Sequence, residues 1–208
     1  MLVDGTIRSF LEALGSADPV PGGGSASALA ASLAANLFKM VVSVTRAKEE
    51  DKRALLEPIF ARVSALGDAL TGLVDRDAAA YGRVRKAYGS PKDSDEQRIQ
   101  RGIEIQLALR EATTVPLEIL ERCLDLLEIA PDVVLHGRVS CISDAGTGNF
   151  LALSAAMGAL LNVQVNLQDI DDEAFATASW ARAAEMVERC QAGFEQARQR
   201  VAERGMQL

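Results

Sequence analysis

The chain is short of several residue types, and each shortage excludes a class of function. Aromatic residues fill 4 % of its 208 positions while hydrophobic residues fill 49 %, so aliphatic side chains and alanine must build the core. There is a single histidine, His136, which excludes a histidine-rich metal centre. The three cysteines, Cys123, Cys141 and Cys190, are odd in number and widely spaced. They fit neither a disulfide framework nor a zinc site, and they read as reduced thiols of a cytoplasmic protein. Basic residues number 22 against 29 acidic ones, and the net charge of −7 argues against a nucleic-acid or anionic-membrane partner. The most apolar run, residues 29–44, contains Ser32, Asn36, Lys39 and Ser43, which is poor for a membrane span. Met1-Leu2-Val3-Asp4 lacks the basic and apolar regions of a signal peptide.

What the chain does have is small residues at a sharp junction. Pro21-Gly22-Gly23-Gly24-Ser25 opens directly into an alanine-rich stretch, residues 26–44. Glycines there leave backbone amides uncovered, and a helix that follows them aims unpaired N–H groups and its positive dipole end at whatever binds. The plainer reading is a tight turn with Ser25 as a helix cap. No Gly-Lys-Ser/Thr follows, so this is not a P-loop, and the spacing is wrong for a dinucleotide fingerprint.

Helical periodicity dominates the remainder. Ile7, Phe10, Leu11 and Leu14 predict a short amphipathic helix ending near Gly15. From about Asp51 a seam of three- and four-residue steps runs through Leu56, Ile59, Val63, Leu66, Leu70, Leu73, Asp77, Ala80 and Val84. Asp77 sits at an apolar position of that seam, where a desolvated carboxylate must be paired or protonated. Such a group is a site candidate, and a structural hydrogen bond is the alternative. Ser94 and Gln97 form a capping-box pattern ahead of a helix through Ile103, Leu107, Ala112, Val115, Ile119, Cys123 and Leu127, with a kink expected at Pro116. Residues 131–139 read as a loop. The run Ser143-Asp144-Ala145-Gly146-Thr147-Gly148 reads as a second cap-and-glycine junction before a small-residue helix from Asn149. Residues 161–167 alternate as a strand would at Val163, Val165 and Leu167, or put Asn162 and Asn166 on one helical face; helix is the reading taken, since no other segment offers a pairing strand. A last helix is expected from Asp171 to about Arg204. These elements predict one all-α domain over 1–208, a bundle of long antiparallel helices. Apolar surface left on the two small-residue helices predicts a homodimer.

Several of these motifs together resemble one family. Pro21-Gly22-Gly23-Gly24-Ser25 with Thr45, Asp75-Arg76-Asp77-Ala78-Ala79-Ala80-Tyr81, Glu111-Ala112-Thr113-Thr114-Val115-Pro116-Leu117, Ser143-Asp144-Ala145-Gly146 and Leu161-Asn162-Val163-Gln164-Val165-Asn166 look like the cyclodeaminase/cyclohydrolase family of folate enzymes. The likeness follows the motif order over nearly the whole chain. It implies an all-helical dimer that binds folate in a cleft close to the subunit interface. It departs at residues 46–51, Arg46-Ala47-Lys48-Glu49-Glu50-Asp51, where the family pattern is a lysine-rich stretch with glycine and tyrosine, and at Gly137-Arg138, where it is Gly-Asn.

The resemblance implies hydrolysis of 5,10-methenyltetrahydrofolate to 10-formyltetrahydrofolate. The alternatives are formiminotetrahydrofolate cyclodeamination with release of ammonia, or a non-catalytic folate-like binding dimer. Both reactions pass through one tetrahedral carbon bridging N5 and N10, and neither calls for a metal or redox cofactor. Each needs a carboxylate that moves a proton and balances a cationic carbon. Asp144 and Asp77 are the candidates for catalysis, with Asp144 the base and Asp77 the acid. Gly22, Gly23, Gly24, Ser25, Thr45, Ser143 and Asn166 are the candidates for holding substrate.

Overall fold

The computed structural model describes residues 1–206, and among them no strand occurs. Six α-helices follow one another: α1 Ile7–Leu14, α2 Gly23–Lys48, α3 Arg53–Tyr88, α4 Asp95–His136, α5 Ile142–Leu167 and α6 Glu173–Glu203. Single 3-10 turns at Leu2–Asp4, Glu50–Lys52 and Val139–Cys141 precede α1, α3 and α5. Short connections make sequence neighbours antiparallel. Cross-helix partners fix the register. Ser25 meets Asp77 and Ser32 meets Thr71 between α2 and α3, with one partner advancing as the other retreats. Arg182–Glu121 and Arg189–Glu128 keep one 61-residue offset, so α6 runs parallel to α4.

Alanine and glycine set how closely α2 and α5 approach. Ala28, Ala31, Ala34 and Ala35 of α2 are buried with Ala152, Ala155, Ala156 and Ala159 of α5. A Cβ on Gly148 would strike the Phe38 ring, and one on Gly158 would overlap the Ser27 hydroxyl. The second glycine run therefore serves helix packing, and α5 starts at Ile142 rather than at Asn149. Among the seam residues of α3, Leu56, Val63, Leu66, Leu70, Leu73, Ala80 and Val84 are all buried, as the spacing predicts.

Four expectations need correction. The segment 131–139 is not a loop, because α4 continues to His136. Pro131 removes the N–H that would meet the Leu127 carbonyl, and Gly193 of α6 packs against that oxygen so closely that a Cβ would not fit. Tertiary packing thus covers the break that the sequence pattern treats as an end. Ile103 and Leu107 are exposed, and the buried stripe of that part of α4 runs instead through Ile105, Ala108, Leu109 and Ala112. In α1 only Phe10 is buried, while Ile7 and Leu11 are 82 % and 59 % exposed. Ser25 is no cap: Gly22 holds that position, and Ser25 lies within the first turn. By length and composition alone α2 and α5 would suffice to cross a membrane, but here each buries one flank in the bundle.

Candidate active site

The start of α2, the middle of α3 and the end of α5 meet at one end of the bundle. They enclose a cleft of about 210 Å³ lined by Gly22, Gly23, Gly24, Asp77, Tyr81 and Asn162, with Asn166 and Ala112 beside them. Gly22 gives α2 no side-chain cap, and the carboxylate that faces its first turn is Asp77 of α3, held there by the Ser25 hydroxyl and backbone. Gly24 is required by a close approach, since any Cβ there would overlap the Asp77 carboxylate. The glycine run and the seam carboxylate are thus two halves of one feature.

Asp77 is half-buried, and removal from water pushes its carboxyl above the usual value of 3.8, partly offset by the Ser25 hydroxyl. Ser25 Oγ lies 2.8 Å from Asp77 Oδ2 and 3.1 Å from the Val74 carbonyl oxygen. One hydroxyl proton serves both protonation states. With Asp77 ionised, Ser25 donates to the carboxylate. With Asp77 protonated, the carboxyl donates to Ser25 and Ser25 turns its proton to Val74. The carboxyl can therefore gain or lose a proton without stranding a buried polar atom.

The remaining expected site residues lie elsewhere. Asp144 and Ser143 are in the first turn of α5, and Asp144 makes no cap. They are about 27 Å along the helix from Asn162, on a rise of 1.5 Å per residue, so one chain does not bring Asp144 to the glycine cleft. Asp144 and Asn162 do share a flank of α5, five full turns apart at 3.6 residues per turn. Thr45 is likewise at the far end of α2. Its hydroxyl donates to the Val41 carbonyl at 2.7 Å and accepts the Arg138 N–H at 2.9 Å. Thr45 thus ties α2 to the α4–α5 link.

That far end is built from fixed contacts. Arg204 donates to the Leu135 and Gly137 carbonyls at 3.0 and 2.7 Å and also to Val134, covering the end of α4. Lys52 donates to the His136 carbonyl and pairs with Glu49, which also meets Arg138. Lys52 hydrogen bonding holds the Glu49 carboxyl below its usual range. Arg46 pairs with Glu57 and stacks over Phe60 at 4.5 Å. The two departures from the family pattern, residues 46–51 and Arg138, both belong to this cluster.

Two cleft residues were not among the expected site residues. Asn162 shares the Asn166 face in a helical reading, and the i, i+4 spacing was the signal available. Tyr81 ends the Asp75–Tyr81 motif and lies one helical turn beyond Asp77. The three cysteines are buried free thiols, and burial pushes Cys190 up to about 12 and Cys123 well above its ordinary value. Both are packing residues in this protonation state.

The formiminotransferase-cyclodeaminase family model matches residues 6–185. A methenyltetrahydrofolate cyclohydrolase of Methylorubrum extorquens is 38 % identical over 173 residues, covering 82 % of this chain and 83 % of that protein. The formimidoyltransferase-cyclodeaminase of Mus musculus is 33 % identical over 180 residues, 84 % of this chain but 32 % of its own. The chain thus spans about a third of that longer relative. In fold, a crystal structure of formiminotetrahydrofolate cyclodeaminase from Thermotoga maritima superposes with a TM-score of 0.87 at 24 % identity, covering 98 % of each chain.

Proposed function

The chain belongs to the formiminotransferase-cyclodeaminase family, and from that premise we propose that it hydrolyses 5,10-methenyltetrahydrofolate to 10-formyltetrahydrofolate. The single observation that carries this choice is the 38 % identity to a methenyltetrahydrofolate cyclohydrolase, covered over 83 % of its own chain. The cleft chemistry suits the step. Asp77, ionised, stands opposite the cationic methenyl carbon and accepts a proton from the attacking water. The hydroxyl adds to carbon, Asp77 returns its proton to N5, and the C–N5 bond breaks. The remaining hydroxyl proton leaves as the formyl group on N10 forms. Overall, one water is consumed and one proton released, with no metal or redox cofactor needed.

The reading includes a homodimer in the cytoplasm. A cleft of about 210 Å³ is smaller than the roughly 300–1,000 Å³ that encloses a drug-sized ligand, so it suits the ring end of the substrate alone. Beside it an apolar stripe runs outward along both small-residue helices. Leu33 of α2 is exposed, with Leu29, Leu37, Met40 and Val44 half-exposed along its line, and Phe150, Met157, Leu161 and Val165 are exposed on α5. Ile7 and Leu11 of α1 adjoin it through a groove shared with Leu29. A second copy related by a two-fold axis perpendicular to these helices covers the stripe and reverses its ends. The Ser143, Asp144 and Thr45 end of one copy then approaches the Asp77 cleft of the other. Asp144 keeps a catalytic assignment only in that cross-chain form, as the carboxylate that balances the cationic methenyl carbon, while the part of base expected of it from the sequence passes to Asp77.

The test is loss of the methenyl chromophore when purified protein meets 5,10-methenyltetrahydrofolate. Turnover well above the spontaneous rate supports the reading. Ammonia release from 5-formiminotetrahydrofolate without methenyl hydrolysis would replace it with the cyclodeaminase, the activity for which the longer relative is named. Tight binding of folate with neither reaction would leave a binding module.

A further inference from the structure

Two amides on the last turns of α5 have their orientation dictated by the protein. Pro116 has no N–H to give the Ala112 carbonyl, the group that an ordinary residue would pair four positions back. Ala112 is buried at the cleft wall, and Asn166 Nδ2 donates to its oxygen at 2.6 Å. A carbonyl only accepts, so the amide must turn its NH2 group to Ala112 and its Oδ1 away. One turn earlier Asn162 donates Nδ2 to the Gly158 carbonyl at 2.8 Å, which orients its amide in the same way. Among the described residues no donor reaches Oδ1 of either amide, and both residues line the cleft. Residues at this spacing stand about 5–6 Å apart at Cβ.

We propose that Pro116 is a positioning residue for substrate selection. By freeing the Ala112 carbonyl it locks Asn166 as an acceptor, and the acceptor pair Asn162 and Asn166 recognises N–H donors on the 2-aminopyrimidine edge of the pteridine ring. This rests on the folate reading and deepens it. The ring's donor edge then lies on α5 while its reacting N5 side faces Asp77. A ring without the 2-amino group leaves an acceptor unpaired in a half-buried cleft, and it binds more weakly for that reason.

The experiment compares equilibrium binding of tetrahydrofolate and 2-desaminotetrahydrofolate to three variants and the native chain. The native protein prefers tetrahydrofolate by tenfold or more. Pro116→Ala restores an N–H to the Ala112 carbonyl and releases the Asn166 amide, so the preference falls below threefold while the melting temperature does not fall. Asn166→Leu, which keeps the proline, loses the preference as well. Adding Asn166→Asp to Pro116→Ala restores it, because a carboxylate accepts from either oxygen; a purely structural proline would show no such rescue. An unchanged preference in Pro116→Ala, or none in the native chain, overturns the assignment while leaving folate binding intact. Failure of both ligands to bind would overturn the folate reading together with it.

Discussion

The two ends of the bundle are built from the same helices and treat polar groups in opposite ways. At the far end Thr45, Glu49, Lys52, Arg138 and Arg204 are engaged with carbonyls or with one another. At the glycine end α2 starts without a side-chain cap, and the amide oxygens of Asn162 and Asn166 find no donor among the described residues. Asp77 there has one hydroxyl partner and a carboxyl raised by burial. Arg46 Nε is buried without a partner at the far end, whereas the open oxygens of the cleft are not sealed from solvent and are placed to be completed by a ligand. Fixed contacts stabilise one end; the other holds the groups that the proposed chemistry uses.

Substitutions sharpen that contrast. Asp77→Asn keeps the shape and the Ser25 contact but removes the proton acceptor. We expect kcat to fall by about 10²–10⁴-fold while circular dichroism and melting stay native, read by stopped-flow loss of the methenyl absorbance. Unchanged kcat would make Asp77 a packing residue.

Gly24→Ala attacks the same group through its neighbour. The new methyl must displace the Asp77 carboxylate. Activity should drop by tenfold or more, with a stability loss of about 1–3 kcal/mol in urea unfolding. Retention of both would mean that the close approach has no bearing on catalysis.

Proton linkage at Asp77 separates the ends by pH. Its folded pKa is raised, so between the ordinary 3.8 and that higher value the folded chain binds more protons than the unfolded one. Stability from this group therefore falls as pH rises through the window, and Asp77→Asn removes that slope. Activity runs the other way, because the base must be ionised: kcat/KM falls with acid at a pKa above 3.8. Equal slopes in native and variant unfolding curves would contradict the assignment.

The smallest effect belongs to the far end. Thr45→Val removes the one hydrogen bond that ties its hydroxyl to the α4–α5 link, from the Arg138 N–H, and the bond that hydroxyl gives the Val41 carbonyl within α2. A loss of about 1–2 kcal/mol in chemical denaturation is expected, with kcat within threefold of native.

Periodicity made the bundle legible, most plainly in α3, whose three- and four-residue seam is buried where its spacing predicts. Asp77 stood out for a related reason: a carboxylate interrupts an otherwise apolar seam. Residues whose role depends on a second element were less visible. Pro131 looked like an end because its covering partner, Gly193, lies 62 positions further on. Ser143-Asp144 looked like a cap because local chemistry does not reveal that Gly148 after it admits the Phe38 ring from α2. Nor does spacing show which end of a bundle a motif occupies. Two motif groups that read as one site are separated here by the length of α5, and the proposed dimer is what would reunite them.

Mixed-variant complementation tests that reunion most directly. Asp77→Asn and Asp144→Ala proteins are each nearly inactive alone in this account. Unfolded together in equal amounts and refolded, half of the dimers carry one chain of each kind, and each such dimer has one of its two sites intact. Recovery of about a quarter of native activity is the predicted result. No recovery, with dimers present by light scattering, or full activity of Asp144→Ala alone, would contradict the cross-chain site.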